Sequence, residues 1–146
     1  MSKRAAIMTA LKTRLGLILK TNGYKTDAGE QVVEWFAAPI LTLEESCLLV
    51  ADTRLTRPPS EIIGMRLNIL TIEVTGVLRG SSASLDEARN LEEDLLLCLG
   101  GFETVGGLVE HFEVRDSTLS LEQQGQIAGG VMLTCSAEFY TTKTEA

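Results

Sequence analysis

Apolar residues recur at three- and four-residue steps through Ile7, Leu11, Leu15, Ile18 and Leu19, while Lys3, Arg4, Lys12 and Lys20 fall mostly off that stripe. This is the period of an amphipathic helix; Ser2 is placed to cap it and Asn22-Gly23 to end it. From Tyr24 to Phe36 the chain reads as two short extended pieces around a turn at Asp27, Ala28 and Gly29, the second piece being a candidate strand. Pro39 interrupts regular structure, and Ser46 to Thr53 (SCLLVADT) then reads as a short apolar strand covered on both faces. Arg54, Arg57, Pro58, Pro59 and Ser60 are expected in the following loop, where the proline pair excludes a central strand and stiffens the chain toward polyproline II.

Alternation is clear from Leu70 to Arg79, with Leu70, Ile72, Val74 and Leu78 on one side and Thr71, Glu73, Thr75 and Arg79 on the other. Such a pattern predicts a half-buried strand. Ser84, Leu85, Asp86 and Glu87 form a capping box for a helix with Leu85, Ala88, Leu91, Leu95, Leu96 and Leu99 on its apolar face, Arg89 and Glu93 as an i, i+4 pair, and Gly100-Gly101 as its stop. Leu108 to Asp116 sets Leu108, Phe112 and Val114 against Val109, His111, Glu113 and Arg115, and reads as a strand, although Glu110 breaks its buried side. The clearest strand runs from Ile127 to Thr141, with Val131, Leu133, Cys135, Ala137 and Phe139 facing one way. Between the last two strands, residues 117–126 are too long for a tight turn and predict a protruding hairpin arm carrying Leu119 and Leu121.

The expected architecture is a single α+β domain over residues 1–146, with two helices on one face of a mostly antiparallel or mixed sheet. The other face would be polar, made by Thr71, Glu73, Thr75, Glu113, Arg115, Thr134, Ser136 and Glu138. It would meet water or a partner.

Composition supports a folded chain: 45% of residues are hydrophobic and 23% charged, well away from the usage of disordered chains. A net charge of -7 sets the overall field against phosphate backbones and anionic lipid, so neither nucleic acid nor membrane is an expected specific ligand. No secretion signal or bilayer-spanning apolar run is visible, and the chain is expected to be soluble as made. Cys47, Cys98 and Cys135 sit far apart among apolar neighbours and read as buried free thiols, compatible with a reducing cytoplasm.

Catalytic chemistry finds little support. His111 falls on the polar side of its strand with no suggested partner, and no two Cys or His residues lie within four positions of each other, which excludes the usual zinc spacings. The carboxylates Asp86, Glu87, Glu92, Glu93 and Asp94 read as acidic residues favoured by a helix dipole. The pairs Gly100-Gly101, Gly106-Gly107 and Gly129-Gly130 lack the Lys-Ser or Lys-Thr sequel of a phosphate-binding loop. No catalytic, cofactor or metal residue is expected, and the chain does not read as an enzyme. Residues suited to contact another chain are Arg54, Arg57, Pro58 and Pro59 on the stiffened loop, Arg79 and Arg115 on the polar face, and Leu119 and Leu121 on the arm.

The run of segments YKTDAGEQVVEWF, LTIEVTGVLRG, SLDEARNLEEDLLLCL and VMLTCSAEFYT, after an opening amphipathic helix, resembles tail terminator proteins of long-tailed bacteriophages, also called tail completion or minor tail protein U-like proteins. The resemblance covers most of the chain in order and character, without a family signature that fixes individual residues. It implies a virion protein, assembled in the host cytoplasm, that forms a six-membered ring at the head-proximal end of the tail tube. Such a ring stops tube polymerisation and offers the surface for head-tail joining. Its implied partners are further copies of itself, the tail tube protein and the head-tail connector protein, with DNA passing through the ring without specific binding. Two other readings stand beside it: another connector or tail-tube ring component, and a small α+β ligand-binding domain or enzyme.

Overall fold

A computed structural model describes residues 2–34, 47–59, 63–79, 85–124 and 126–142, with backbone alone for Arg79 and residues 120–129. The capping box at Ser84, the Trp35-Phe36 pair, Pro39, Ser46 and Ser60 lie outside the described residues.

Helix α1 spans Lys3–Leu15. Ser2 caps it as its hydroxyl accepts from the Ala5 N–H at 3.2 Å, and Lys12 and Arg14 fall in the last turn, where the dipole favours cations. The helix closes at Gly16, not at Asn22-Gly23; Gly23, at φ 91°, instead ends a separate 3-10 turn over Lys20–Asn22. Ile18 is fully buried outside the helix, so the apolar period outlasts the structure that normally produces it. A second 3-10 turn, Ala28–Glu30, crosses the end of α1 so closely that a Cβ on Gly29 would stand 2.7 Å from the carbonyl oxygens of Leu15 and Gly16.

Five strands follow in the spatial order β1-β2-β3-β5-β4. They are β1 (Val32–Glu34), β2 (Cys47–Thr56), β3 (Met65–Arg79), β4 (His111–Gln124) and β5 (Gln126–Thr142), with helix α2 (Leu85–Gly100) between β3 and β4. β1 runs parallel to β2, and the other pairings are antiparallel, giving a mixed sheet in an α+β fold. α1 contacts the β1–β2 side and α2 the β4–β5 side.

Both helices lie on one sheet face. Their buried residues, Ile7, Leu11 and Leu15 from α1 and Ala88, Leu91, Leu95, Cys98 and Leu99 from α2, join one core with Leu48, Val50, Leu70, Ile72, Val74, Leu133, Cys135 and Phe139. Alternation thus delivers every second residue of β3 and β5 to the helices. A Cβ on Gly76 would come within 2.5 Å of Leu91 Cδ2, so the glycine is what lets α2 approach the sheet at that point.

Four expectations change. Leu85 and Leu96 are 44% and 40% exposed, since the stripe that meets the sheet runs through Ala88, Leu91, Leu95, Cys98 and Leu99 and leaves them to its side. Arg89 pairs with Asp86 at 3.5 Å and Glu93 with Lys25 at 2.7 Å, not with each other, because the segment after α1 brings Lys25 alongside α2. Val109, expected on the polar side, is buried ahead of β4. Residues 117–124 belong to the sheet: β4 pairs with β5 as far as Gln124 opposite Gln126, and β3 flanks β5 up to Ala128 opposite Arg79. They form a strand in place of the expected protruding arm.

Candidate interaction surfaces

Arg54 lies inside β2, because pairing with β3 continues through Thr56 opposite Ile69 across a bulge between Asp52 and Arg54. The bulge changes which way the chain faces. Asp52, opposite Ile72, turns toward the helices and binds the Arg4 guanidinium, while Arg54, opposite Thr71, is exposed on the other face. The loop expected to begin at Arg54 therefore begins after Thr56. There Arg57 is exposed yet tethered, donating from Nε to Asn68 Oδ1 at 2.9 Å; Pro58 is half-buried and Pro59 exposed.

Asn68 is itself 1% exposed and donates to the carbonyl of Phe139 at 3.3 Å and to Thr141 Oγ1 at 2.9 Å. This buried amide fixes the start of β3 to the end of β5 and holds Arg57 beside them.

On β4, Arg115 occupies a second bulge, between Val114 and Asp116, and its side chain, 54% exposed, meets Glu113 at 3.0 Å. Leu119 is half-buried against the core and so serves first as a packing residue. Arg79 is the last residue of β3 and Leu121 pairs with Gly129; their side chains lie outside the described residues.

The helix-free face is less uniformly polar than the alternation predicted. Thr71, Glu73, Thr75, Glu113, Thr134 and Glu138 are half-buried, Arg115 is exposed and Ser136 is buried, but Leu67, Ile69 and Tyr140 share this face and Met132 is 45% exposed on it. Ser136 Oγ has no hydrogen-bond partner among the described residues. β4 is an edge strand whose outer side meets no other strand among the described residues. The flank of α2 above it carries exposed Leu96, and Glu92 accepts from the Ser117 hydroxyl at 2.5 Å.

His111 is 53% exposed in its side chain and meets Glu113, at 3.3 Å. No group of three or more metal-ligating side chains occurs among the described residues. A recess of about 630 Å³ opens beside Lys20, Asp27, Glu30, Cys47 and Glu87, but Asp27 Oδ1 already accepts from the Lys20 N–H at 2.8 Å. Asp94, read from the sequence as one of the acidic residues favoured by the helix dipole, is 2% exposed and structural: it accepts from Lys25 N at 3.0 Å, Thr26 N at 2.8 Å and Thr26 Oγ1 at 2.7 Å. Its place in the stripe Leu91, Asp94, Leu95, Cys98 was the sequence signal for burial.

All three cysteines are buried and free. Burial raises the Cys98 thiol and pushes Cys135 up to about 12. A thiol in an unfolded chain ionises at about 8.5, so above that pH the unfolded state gives up a proton that the folded state retains. Folding stability is expected to be full below that value and to fall as pH rises toward 12. Denaturant titrations at pH 8 to 10, in steps of about half a unit, would show it, and a Cys135→Val chain should have a shallower decline. An unchanged slope in that variant would assign the loss to other groups.

Fold and surfaces together define a two-layer α+β protein with helices on one sheet face, and no group of three or more metal-ligating side chains occurs among the described residues. No protein-family model matches the chain, and no curated protein matches it.

Proposed function

We propose that this protein is a ring-forming structural component of a long-tailed phage, a tail terminator that caps the head-proximal end of the tail tube. In that role it ends tube polymerisation and offers the joining surface to the head-tail connector protein, acting in the virion after assembly in the host cytoplasm. The observation that supports this most is the edge strand β4, 14 residues long and without a strand partner on its outer side among the described residues. Edges of this length carry a row of unsatisfied backbone donors and acceptors, and proteins either blunt them or use them to join chains. Head-to-tail joining of unlike surfaces closes rings. The order of segments described above supplies the tail-terminator reading in particular. The acidic net charge of -7 suits a conduit through which DNA passes without being held.

Electron microscopy of lysates from a phage or prophage with an early stop codon in this gene tests the reading. Full heads beside unjoined tails, many of them overlong, are expected. Normal virions would end the proposal, and absent tails would move the protein to a tube or initiation role. In the event of normal virions, a thermal-shift screen against metabolites would examine the ligand-binding alternative.

A further inference from the structure

The edge strand β4 and the stretch of β2 that continues past its pairing with β1, which ends at Val50, carry unlike charges at matching heights. On the β2 side, Arg54 is exposed with no ion-pair partner among the described residues, and it lies level with Thr71 of β3. Arg57, also exposed, lies level with Asn68. On the β4 side, Asp116 is exposed and unpaired among the described residues; through Thr134 of β5 it lies level with Glu73 of β3. Glu110 is exposed and donates its N–H to the carbonyl of Glu138, which lies level with Ile69. Counted along β3, the cations therefore stand at the heights of residues 71 and 68 and the anions at those of 73 and 69. Two rows correspond to about 7 Å along a strand, within the reach of an arginine side chain.

Asp52, the other charge of β2, is neutralised by Arg4, and Glu34 of β1 by Lys12, which leaves Arg54 as the uncompensated charge of this stretch among the described residues. Glu113 is engaged by both Arg115 and His111, which leaves Asp116 on β4 and Glu110 just ahead of it as the exposed, unpaired carboxylates among the described side chains of this edge. Arg54 and Asp116 both lie on the helix-free side of the sheet, given their partners Thr71 and Thr134.

We infer that the head-to-tail contact of this protein sets Arg54 and Arg57 of one copy against Asp116 and Glu110 of the next. The copies are related by rotation about an axis running along the strands. A rotation of that kind preserves height along the strand direction, so the charges meet in register around the ring. Facing charges of this type fix register and suppress wrong pairings more than they add affinity. The inference rests on the ring reading and specifies which surfaces close the ring.

The test is a pair of opposite charge reversals. In Arg54→Glu positions 54 and 116 are both anionic, in Asp116→Arg both cationic, so the central pair of the contact repels in either chain alone. Each purified chain alone is expected to lose self-association by about tenfold or more, the loss shrinking at high salt. Mixed in equal amounts, the two variants are expected to regain assembly, because the anionic end of one then meets the cationic flank of the other in alternation around an even-numbered ring. Native mass spectrometry and negative-stain microscopy read the outcome, and circular dichroism checks that each variant is folded. Glu110→Arg takes the place of Asp116→Arg if the neighbouring bulge makes that chain unstable.

Two variants that assemble as the wild type does while it forms rings would overturn the inference and leave the ring reading standing. A loss in each variant without recovery in the mixture would also overturn it. A wild-type chain that stays monomeric at every attainable concentration removes the contact as well, and the lysate experiment then decides the ring reading by itself.

Discussion

Replacing Asp94 with alanine is expected to lower the unfolding free energy by about 3 to 4 kcal/mol, measured by urea denaturation. The carboxylate is the shared acceptor for two backbone N–H groups and one hydroxyl, from Lys25 and Thr26, and it is nearly fully buried. Removing it strands three donors that water reaches poorly, and unsatisfied buried donors cost roughly 1 to 3 kcal/mol each, less whatever the segment recovers by moving outward. Asp94→Asn keeps one acceptor oxygen but turns an NH2 group toward the same donors, so an intermediate loss is expected. A loss below about 1 kcal/mol in the alanine chain would mean that residues 24–27 detach from α2 freely and that the carboxylate does not hold them.

Phe139→Ala is expected to cost about 4 kcal/mol, in the range for deleting a buried aromatic ring. Phe139 is 2% exposed, among the largest fully enclosed side chains, on the helix-facing side of β5. Lys3 of α1 lies over it, with Nζ 5.7 Å from the ring centroid and 3.2 Å from the Tyr140 carbonyl oxygen to which it donates. Losing the ring therefore opens a cavity and removes a contact that seats the start of α1. Thermal unfolding followed by circular dichroism reads the loss; a melting temperature within a degree or two of the wild type would show that the sheet and α1 close over the space. Neither residue contributes to the charged surfaces. Under the proposed ring reading, these variants should assemble as the wild type does at temperatures where they are folded, which separates a stability defect from an interface defect.

Sequence periodicity was a reliable guide where one face of an element alone is buried. β3 and β5 obey this, and Leu70, Ile72, Val74, Leu133, Cys135 and Phe139 all reach the core as their alternation predicts. The same principle failed at β4, whose segment STLSLEQQ mixes polar and apolar residues and follows a bulge that shifts the phase. A strand with an extra residue has no single period to detect. α1 misled in the opposite way, as Ile18 keeps the helical spacing while sitting in a turn after Gly16.

Of the interface candidates, the arginines were legible as residue types but not as geometry. Arg57 is exposed and tied to Asn68, whereas Arg54 is exposed and unpaired among the described residues, a distinction set by partners distant in sequence. Asp116 and Glu110 were passed over because an isolated carboxylate carries no signature; only the pairing of β4 with β5 reveals their height opposite the cations.

The two bulges also determine how this gene tolerates change in length. In β4, Phe112 and Val114 face the helices ahead of Arg115, and Leu119 does so beyond it, so the extra residue reconciles two stretches of opposite parity. Loss of that single codon would leave every remaining side chain chemically unaltered, yet to keep the later pairing it would drive Phe112, now 4% exposed, to the wet side of the sheet. For this strand an in-frame deletion of one codon is therefore a graver lesion than most substitutions, and insertions or deletions in diverging copies of the gene should concentrate away from codons 111 to 124.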